Sequence, residues 1–320
     1  MIDAATCRQT LDWEICIAAM SKAMQTISSG DANMPLRTFF SIDDENGEMG
    51  LMPAAAPELG ICGAKLITIL PANPHSNRPA IQGLIALFST ETGELEAIID
   101  GTSITEIRTA AASALATSIL ARLDAKTHGV LGTGVQAITH ARAIAHVRPL
   151  ITHTIIWGRD PLKARVTAKT LRDKFGLSAS AGGLREAAQC DVVSTVTGAT
   201  EPMIQRDNLS EGAHLNLVGS HKESKREVST DIIASARLFV DIRSAALNEA
   251  GDILIPISEG AISENHICAE LGEVLSGRAM GRQSPVQITV YKSLGNAIQD
   301  IYAATALLKA LRKIGNKILK

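Results

Sequence analysis

Apolar residues change their spacing twice along this chain. Over residues 11–29 they recur at helical intervals, and from 35 to 100 they alternate or run in short blocks: "PLRTFFSI", "EMGLMPA", "AKLITIL", "GLIALFS" and "ELEAIID". Gly, Pro and Asn separate these blocks, which predicts strands, with a hairpin in "STETGELEA" turning on Gly93. From residue 102 the Ala-rich "TSITEIRTAAASALATSILARL" has no Gly or Pro and opens on the cap candidates Thr102 and Ser103, which predicts one long helix. Strand and helix then alternate: "GVLG", a helix over 135–147, "HTIIWG", the helix "PLKARVTAKTLRDKF", then "DVVSTVT", "HLNLVG" and "RLFVDI". Parallel strands need crossover connections, so this alternation implies a parallel sheet covered on both faces. The expected class is α/β, a doubly wound domain after a sheet-rich first region. The end of the chain, from "SLGNAIQ" onward, reads as one amphipathic helix. Its Lys309, Arg312, Lys313, Lys317 and Lys320 form a solvated face, since no Trp or Phe lies opposite to enter a membrane.

Composition narrows the function. A net charge of -2 provides no field for a polyanion, and 3% aromatics leaves little to stack on bases, so nucleic acid is not an expected partner. The five cysteines are scattered and form no Cys/His cluster, which predicts neither a disulfide framework nor a metal site. The first residues carry acids where a signal peptide needs bases, and no uncharged apolar run reaches spanning length. A soluble, cytoplasmic protein is expected.

The stretch "VLGTGVQA" places Gly132 and Gly134 between a strand and a helix, with Ala137 in the third position of a G-x-G-x-x-G/A pattern. In such a Rossmann turn the first glycine permits the tight bend. The second admits a pyrophosphate, and the helix N-terminus, with Thr133, Val135 and Gln136, offers N–H groups to it. About 20 residues further on, where an NAD site sets an acid on the ribose, this chain has Gly158, then Arg159 and Asp160. Arginine there favours a 2′-phosphate, so NADPH is expected to be preferred, with NADH admitted by Asp160. Three cations in the first region are candidate substrate ligands: Arg37, Lys65 and Arg108. Lys65 lies in an apolar strand and needs a ligand anion or a structural carboxylate. His221 follows a strand's carboxyl end, where open parallel sheets bind ligands, and is a candidate proton donor. His128, His140, His146 and His153 read as face or turn residues.

Taken together, these segments resemble the ornithine cyclodeaminase/mu-crystallin family. The resemblance rests on Arg37 after a proline, "GLMPA", Lys65 followed by "LPANP", "TEIRTAAASALA", "GTGVQA", "HLNLVGS", "VDIRSAALNEAGDI", "ELGEVLSGRAMGR" and "TVYKSLGNAIQD". It implies a Rossmann domain over 113–292 inserted in a substrate-binding and dimerisation domain formed by 1–112 and 293–320, paired as a homodimer. It also implies that Arg37, Lys65 and Arg108 face the substrate. Arg108, Thr109, the glycine loop and the "WGRD" turn should approach the cofactor, as should Thr195, Thr197, Val218, Lys292, Ser293 and Leu294.

The family holds several reactions. Cyclodeaminases carry a glutamate where this chain has Gly50, and an aspartate aligned with His221. The expected activity is therefore NAD(P)H-dependent reduction of a cyclic ketimine, Δ1-pyrroline-2-carboxylate to L-proline, with Δ1-piperideine-2-carboxylate to L-pipecolate as a six-membered variant. Ornithine cyclodeamination and a non-catalytic NADPH- and ligand-binding role are the alternatives.

Overall fold

The computed structural model describes residues 1–43, 47–76 and 78–318. The chain divides into two compact units, Met1–Arg108 with Gly295–Lys320, and Thr109–Leu294. Two helices come first, α1 (Ala4–Thr10) and α2 (Trp13–Ser29). Helix α2 matches the helix expected over 11–29 to within two residues, because Asp12 accepts a hydrogen bond from the Ile15 N–H at 2.8 Å and caps its start; α1 is not among the expected elements. Five strands follow, β1 (Thr38–Asp43), β2 (Gly47–Ala56), β3 (Ile61–Ile69), β4 (Ile81–Ser89) and β5 (Leu95–Asp100), joined as an antiparallel meander in chain order. Strand β1 starts three residues later than "PLRTFFSI" suggests. Extending its register from Thr38↔Leu51 would set Leu36 against Pro53, which has no N–H to donate. Arg37 therefore precedes the strand.

Helix α3 (Gly101–Leu120) carries the chain from the first unit into the second. There β6 (Thr127–Leu131), α4 (Val135–Val147), β7 (His153–Trp157), α5 (Pro161–Phe175), β8 (Ala179–Ala181), α6 (Leu184–Ala188), β9 (Val192–Thr195) and β10 (His214–Leu217) alternate. They are followed by α7 (Thr230–Ser235), β11 (Arg237–Val240), α8 (Arg243–Glu249), α9 (Gly251–Ser258), β12 (Ile267–Glu270), α10 (Leu271–Leu275) and β13 (Thr289–Lys292). The eight strands form one parallel sheet in the order β12-β11-β13-β10-β9-β6-β7-β8. Its direction of winding reverses between β6 and β9, the switch point at which such sheets bind ligands. Strands β8, β12 and β13, of three or four residues each, are not among the strands that the apolar pattern predicts.

The last helix, α11 (Ala297–Ile318), returns to the first unit and packs against α2 and against β2, β3 and β4. It begins at Ala297 rather than at Ser293, after Gly295 at φ +71°. Its Arg312 pairs with Glu96 at 2.6 Å, and Lys309 and Lys313 are exposed, while Lys320 and the Lys317 side chain lie outside what the structure describes. Among the described residues no helix is long and apolar enough to cross a membrane.

Two of the histidines need correction. His128 and His140 are wholly buried rather than at a face or turn. His128 Nε2 is 3.0 Å from Ser194 Oγ, and His140 Nδ1 and Nε2 are 2.8 Å from the Gln136 carbonyl and 3.0 Å from Ser113 Oγ. Burial pulls His128 down to about 3 and His140 to about 4, so both are neutral. His146 is exposed and His153 half-buried.

Candidate active site

At the switch point the sequence motif becomes geometry. Gly132 closes the turn after β6 at φ +137°, and a Cβ there would lie 2.7 Å from the Val196 carbonyl oxygen, so only glycine fits. At Gly134 a Cβ would meet nothing within 4 Å, which leaves the backbone open to a ligand, and no side chain caps α4. Ala137 is buried with Val130, Ala141 and Ile156, bringing helix and strand close. The result is a cleft of about 420 Å³ whose walls include Gly132, Thr133, Gly134, Gly158, Arg159 and Thr197. Gly158 lets the wall close in, since a Cβ on it would stand 2.4 Å from Thr133 Cγ2 and the Thr133 side chain would have to turn aside. Arg159 is exposed at the rim. Asp160 is the N-cap of α5, its Oδ1 accepting from the Leu162 and Lys163 N–H groups at 2.8 and 3.4 Å, which holds that oxygen toward the helix.

The remaining expected cofactor residues are not in the wall of this cleft. Val135 is exposed and Gln136 half-buried on the first turn of α4, and Thr109 is buried in α3. Val218 donates its N–H to the Thr195 carbonyl at 3.0 Å, tying the ends of β9 and β10 together. Ser293 is buried, and the Leu294 N–H donates to Asp241 at 3.0 Å. Lys292 is fully buried. Its ammonium donates to the Ser220 carbonyl at 2.6 Å and pairs with Asp252 at 2.8 Å, so the protein itself occupies this amine.

The first unit gathers the cations. Lys65 lies on the helix-covered face of the meander, in register with Met52 and Ile85, both buried. Gly63, two residues earlier, lets α11 approach: a Cβ there would stand 3.0 Å from Ile301 Cδ1. From α11, Asp300 reaches both cations, at 2.6 Å from Lys65 Nζ and 2.9 Å from Arg108 Nε, with its own side chain 1% exposed. Gln299 accepts from Arg108 Nη1 at 3.2 Å, and Lys65 lies 3.5 Å from Thr105 Oγ1. Burial pulls Lys65 down to about 8; Asp300 pushes the other way, while Arg108 and Arg37 add to the fall. Lys65 and Arg108 together hold Asp300 below the usual carboxylate range despite its burial. Arg37, half-buried, lies over the Phe39 ring at 5.6 Å. His221 is exposed on the loop after β10.

Asp300 is the residue that sequence reasoning passed over. It falls within "LGNAIQD", where a lone acid at a helix start reads as a solvated first-turn carboxylate. Only the pairing of α11 with β3 shows that it faces a buried lysine.

The strand order and the glycine turn define a doubly wound protein with a dinucleotide-type cleft. A profile of the Ornithine cyclodeaminase/mu-crystallin family matches residues 2–313, and the chain belongs to that family. A Δ1-pyrroline-2-carboxylate reductase of Bacillus cereus is 35% identical over 323 residues, covering 99% of each chain. The solved Δ1-pyrroline-2-carboxylate reductase of Thermococcus litoralis, in complex with NADH and L-proline, superposes with a TM-score of 0.94 at 32% identity over 98% of both chains. An archaeal alanine dehydrogenase dimer with bound NAD gives 0.91 at 29% identity, covering 98% of this chain and 96% of its own.

Proposed function

We propose that this chain is an NAD(P)H-dependent reductase of cyclic ketimines, converting Δ1-pyrroline-2-carboxylate to L-proline. The observation that carries the reading is the buried cluster of Lys65 and Arg108 against the single carboxylate of Asp300, which leaves a formal charge of +1. A buried surplus of that sign is costly unless an anion joins it, and the carboxylate of a cyclic imino acid is such an anion. Arg37 adds to the same positive potential. The relatives named for this activity, one of them solved with L-proline, support it.

The cleft residues fit a dinucleotide: Gly132 makes the turn, Gly134 leaves room, and the uncapped start of α4 offers N–H groups to phosphates. When bound, the reduced nicotinamide supplies the hydride. Arg108 and Arg37 would hold and orient the substrate carboxylate. Lys65, an acid of pKa about 8, would keep the imine nitrogen protonated, which makes the ring carbon a better hydride acceptor. His221, exposed in its loop, is the less suited donor.

NADPH is the coenzyme this cleft favours, since Arg159 stands at the rim while Asp160 is held by the start of α5. Two copies would pair through the outer face of the meander, where Leu51, Leu66 and Leu84 lie in one register row beside Phe88 and Leu95. Leu51, Phe88 and Leu95 are exposed in the single chain, and the dimeric alanine dehydrogenase supports a second copy as their cover. With five free cysteines, a reducing cytoplasm suits the protein.

Cyclodeamination is disfavoured at Gly50. A side chain there would begin 2.5 Å from Phe39 Cε1 and 3.1 Å from Ile67 Cγ1, so a glutamate could enter only if Phe39 moved.

The test is the loss of reduced-cofactor absorbance on mixing the protein with Δ1-pyrroline-2-carboxylate, with NADPH and NADH separately, beside L-ornithine with NAD+ and an ammonia assay. Imine-dependent oxidation, faster with NADPH and without ammonia from ornithine, is expected. Ammonia release without imine oxidation would overturn the reading.

A further inference from the structure

One buried carboxylate holds the mouth of the cofactor cleft. Thr197, Gly198, Ala199 and Thr200 form a wall of the cleft in a loop without regular structure after β9. Behind them lies Glu227, fully buried. Its Oε1 accepts from the Thr197 N–H at 3.0 Å and the Thr197 hydroxyl at 2.8 Å. Its Oε2 accepts from the Thr195 hydroxyl and the Gly219 N–H, both at 2.7 Å. The Thr197 hydroxyl in turn accepts from the Ala199 N–H at 3.1 Å, so the bonding continues around Gly198. The fit leaves no slack: a Cβ on Gly219 would lie 2.4 Å from Glu227 Oε1 and 2.1 Å from the Thr197 carbonyl oxygen.

Glu227 is itself anchored. Asp252 accepts from the Glu227 and Val228 N–H groups at 2.7 and 3.3 Å, and Asp252 pairs with Lys292, which holds the Ser220 carbonyl just before His221. If the carboxylate served the core alone, its partners would lie within the core. Instead all four donors belong to the carboxyl ends of β9 and β10 or the residues just past them, the edge at which a doubly wound sheet binds its ligand. An apolar side chain would fill the same space without the cost of burying an acid.

We propose that Glu227 is a positioning residue for the dinucleotide cleft, fixing the Thr197–Thr200 loop and the Gly219–Ser220 turn before the cofactor arrives. A ligand entering this cleft does not have to order those loops, and its affinity is higher for that reason. The inference rests on the reading of the cleft as the cofactor site.

The experiment is fluorescence titration of the full-length protein with NADPH and NADH, together with steady-state kinetics and the melting temperature without cofactor. In Glu227→Gln an amide NH2 faces an obligate N–H donor, of Thr197 or Gly219, so one donor loses its acceptor. The dissociation constant and the KM for cofactor should both rise by about tenfold or more. The KM for Δ1-pyrroline-2-carboxylate at saturating cofactor should change by less than about twofold, since a merely structural lesion would raise both. Thr197→Val removes only hydroxyl bonds and should weaken cofactor binding by about threefold to fivefold; it carries the test if Glu227→Gln does not fold. Unchanged cofactor affinity in whichever variant folds would overturn the positioning role, and so would equal losses in cofactor and imine KM. Failure of the unaltered protein to bind either cofactor would instead overturn the reading of the cleft.

Discussion

Each unit buries a cluster of three charged side chains, and the two clusters are close to opposites. In the first unit Lys65 and Arg108 face Asp300; in the second, Glu227 and Asp252 accompany Lys292. Burial resists the surplus charge in both, pulling Lys65 down to about 8 and, with help from Asp252, pushing the Glu227 carboxyl up. The difference lies in how the surplus is met. Glu227 receives four hydrogen bonds from its own chain, two on each oxygen, and its set is closed. The first set has one carboxylate for two cations, and no second acid is bonded to either Lys65 or Arg108 among the described residues. A cluster closed within the protein shapes loops, whereas one left with a positive surplus invites an anion.

Breaking the open cluster should give the largest effect. Lys65→Ala removes the proposed acid while Asp300 keeps Arg108 at 2.9 Å, so the fold should survive. Turnover of Δ1-pyrroline-2-carboxylate should fall by about 100-fold or more, as expected for losing one partner of a buried charged contact, with the dissociation constant for NADPH within about twofold of the unaltered value. A variant that keeps its turnover would show that Lys65 only balances Asp300.

The next effect is a shift rather than a loss. Lys65 is protonated below about 8 and gives up its proton as pH rises through that value, so activity should decline on the alkaline side there. The groups bearing on it are Asp300 from α11, which holds the proton on, and Arg108 and Arg37, which drive it off. In Asp300→Asn the carboxylate that holds the proton on is gone, and the alkaline limb of kcat/KM should move toward acid by about one pH unit or more. Rate profiles of the two proteins would decide this; coincident limbs would mean that Asp300 does not set the Lys65 proton.

The two clusters were not equally visible in the sequence. Lys65 drew attention because an ammonium inside an apolar strand is costly by itself, and the glycine turn because its spacing follows from backbone geometry. Helices 135–147 and 161–175 match α4 and α5 to the residue, since long periodic segments with clear ends carry their own signal. Asp300 and Glu227 gave no such signal. Each is an acid in a polar-looking stretch, and its burial comes from pairing of distant elements, α11 on β3 for one and the ends of β9 and β10 for the other. The pairing of Lys292 gave no signal for the same reason: its place beside Asp252 depends on a four-residue strand inserted between β10 and β11.

The units should also respond to opposite ends of the pH scale, and the second should limit stability in acid. His128, His140 and His214 are buried there, held at about 3, 4 and 3 against an ordinary value of 6.5, with desolvation the largest cause for each. Folded, they refuse protons that the unfolded chain accepts once pH falls below about 6.5. Their contribution is therefore complete above that pH and is lost as pH falls toward 4, at about 1.4 kcal/mol per pH unit for each histidine. Urea unfolding at pH 7.5, 6 and 5 should show this slope. In His140→Gln, which keeps a polar group near Ser113 and the Gln136 carbonyl, the slope should drop by one histidine's share. A free energy of unfolding that stays level from pH 7.5 to 5 would mean that these histidines become charged where they stand, and that the polar layer around them admits water.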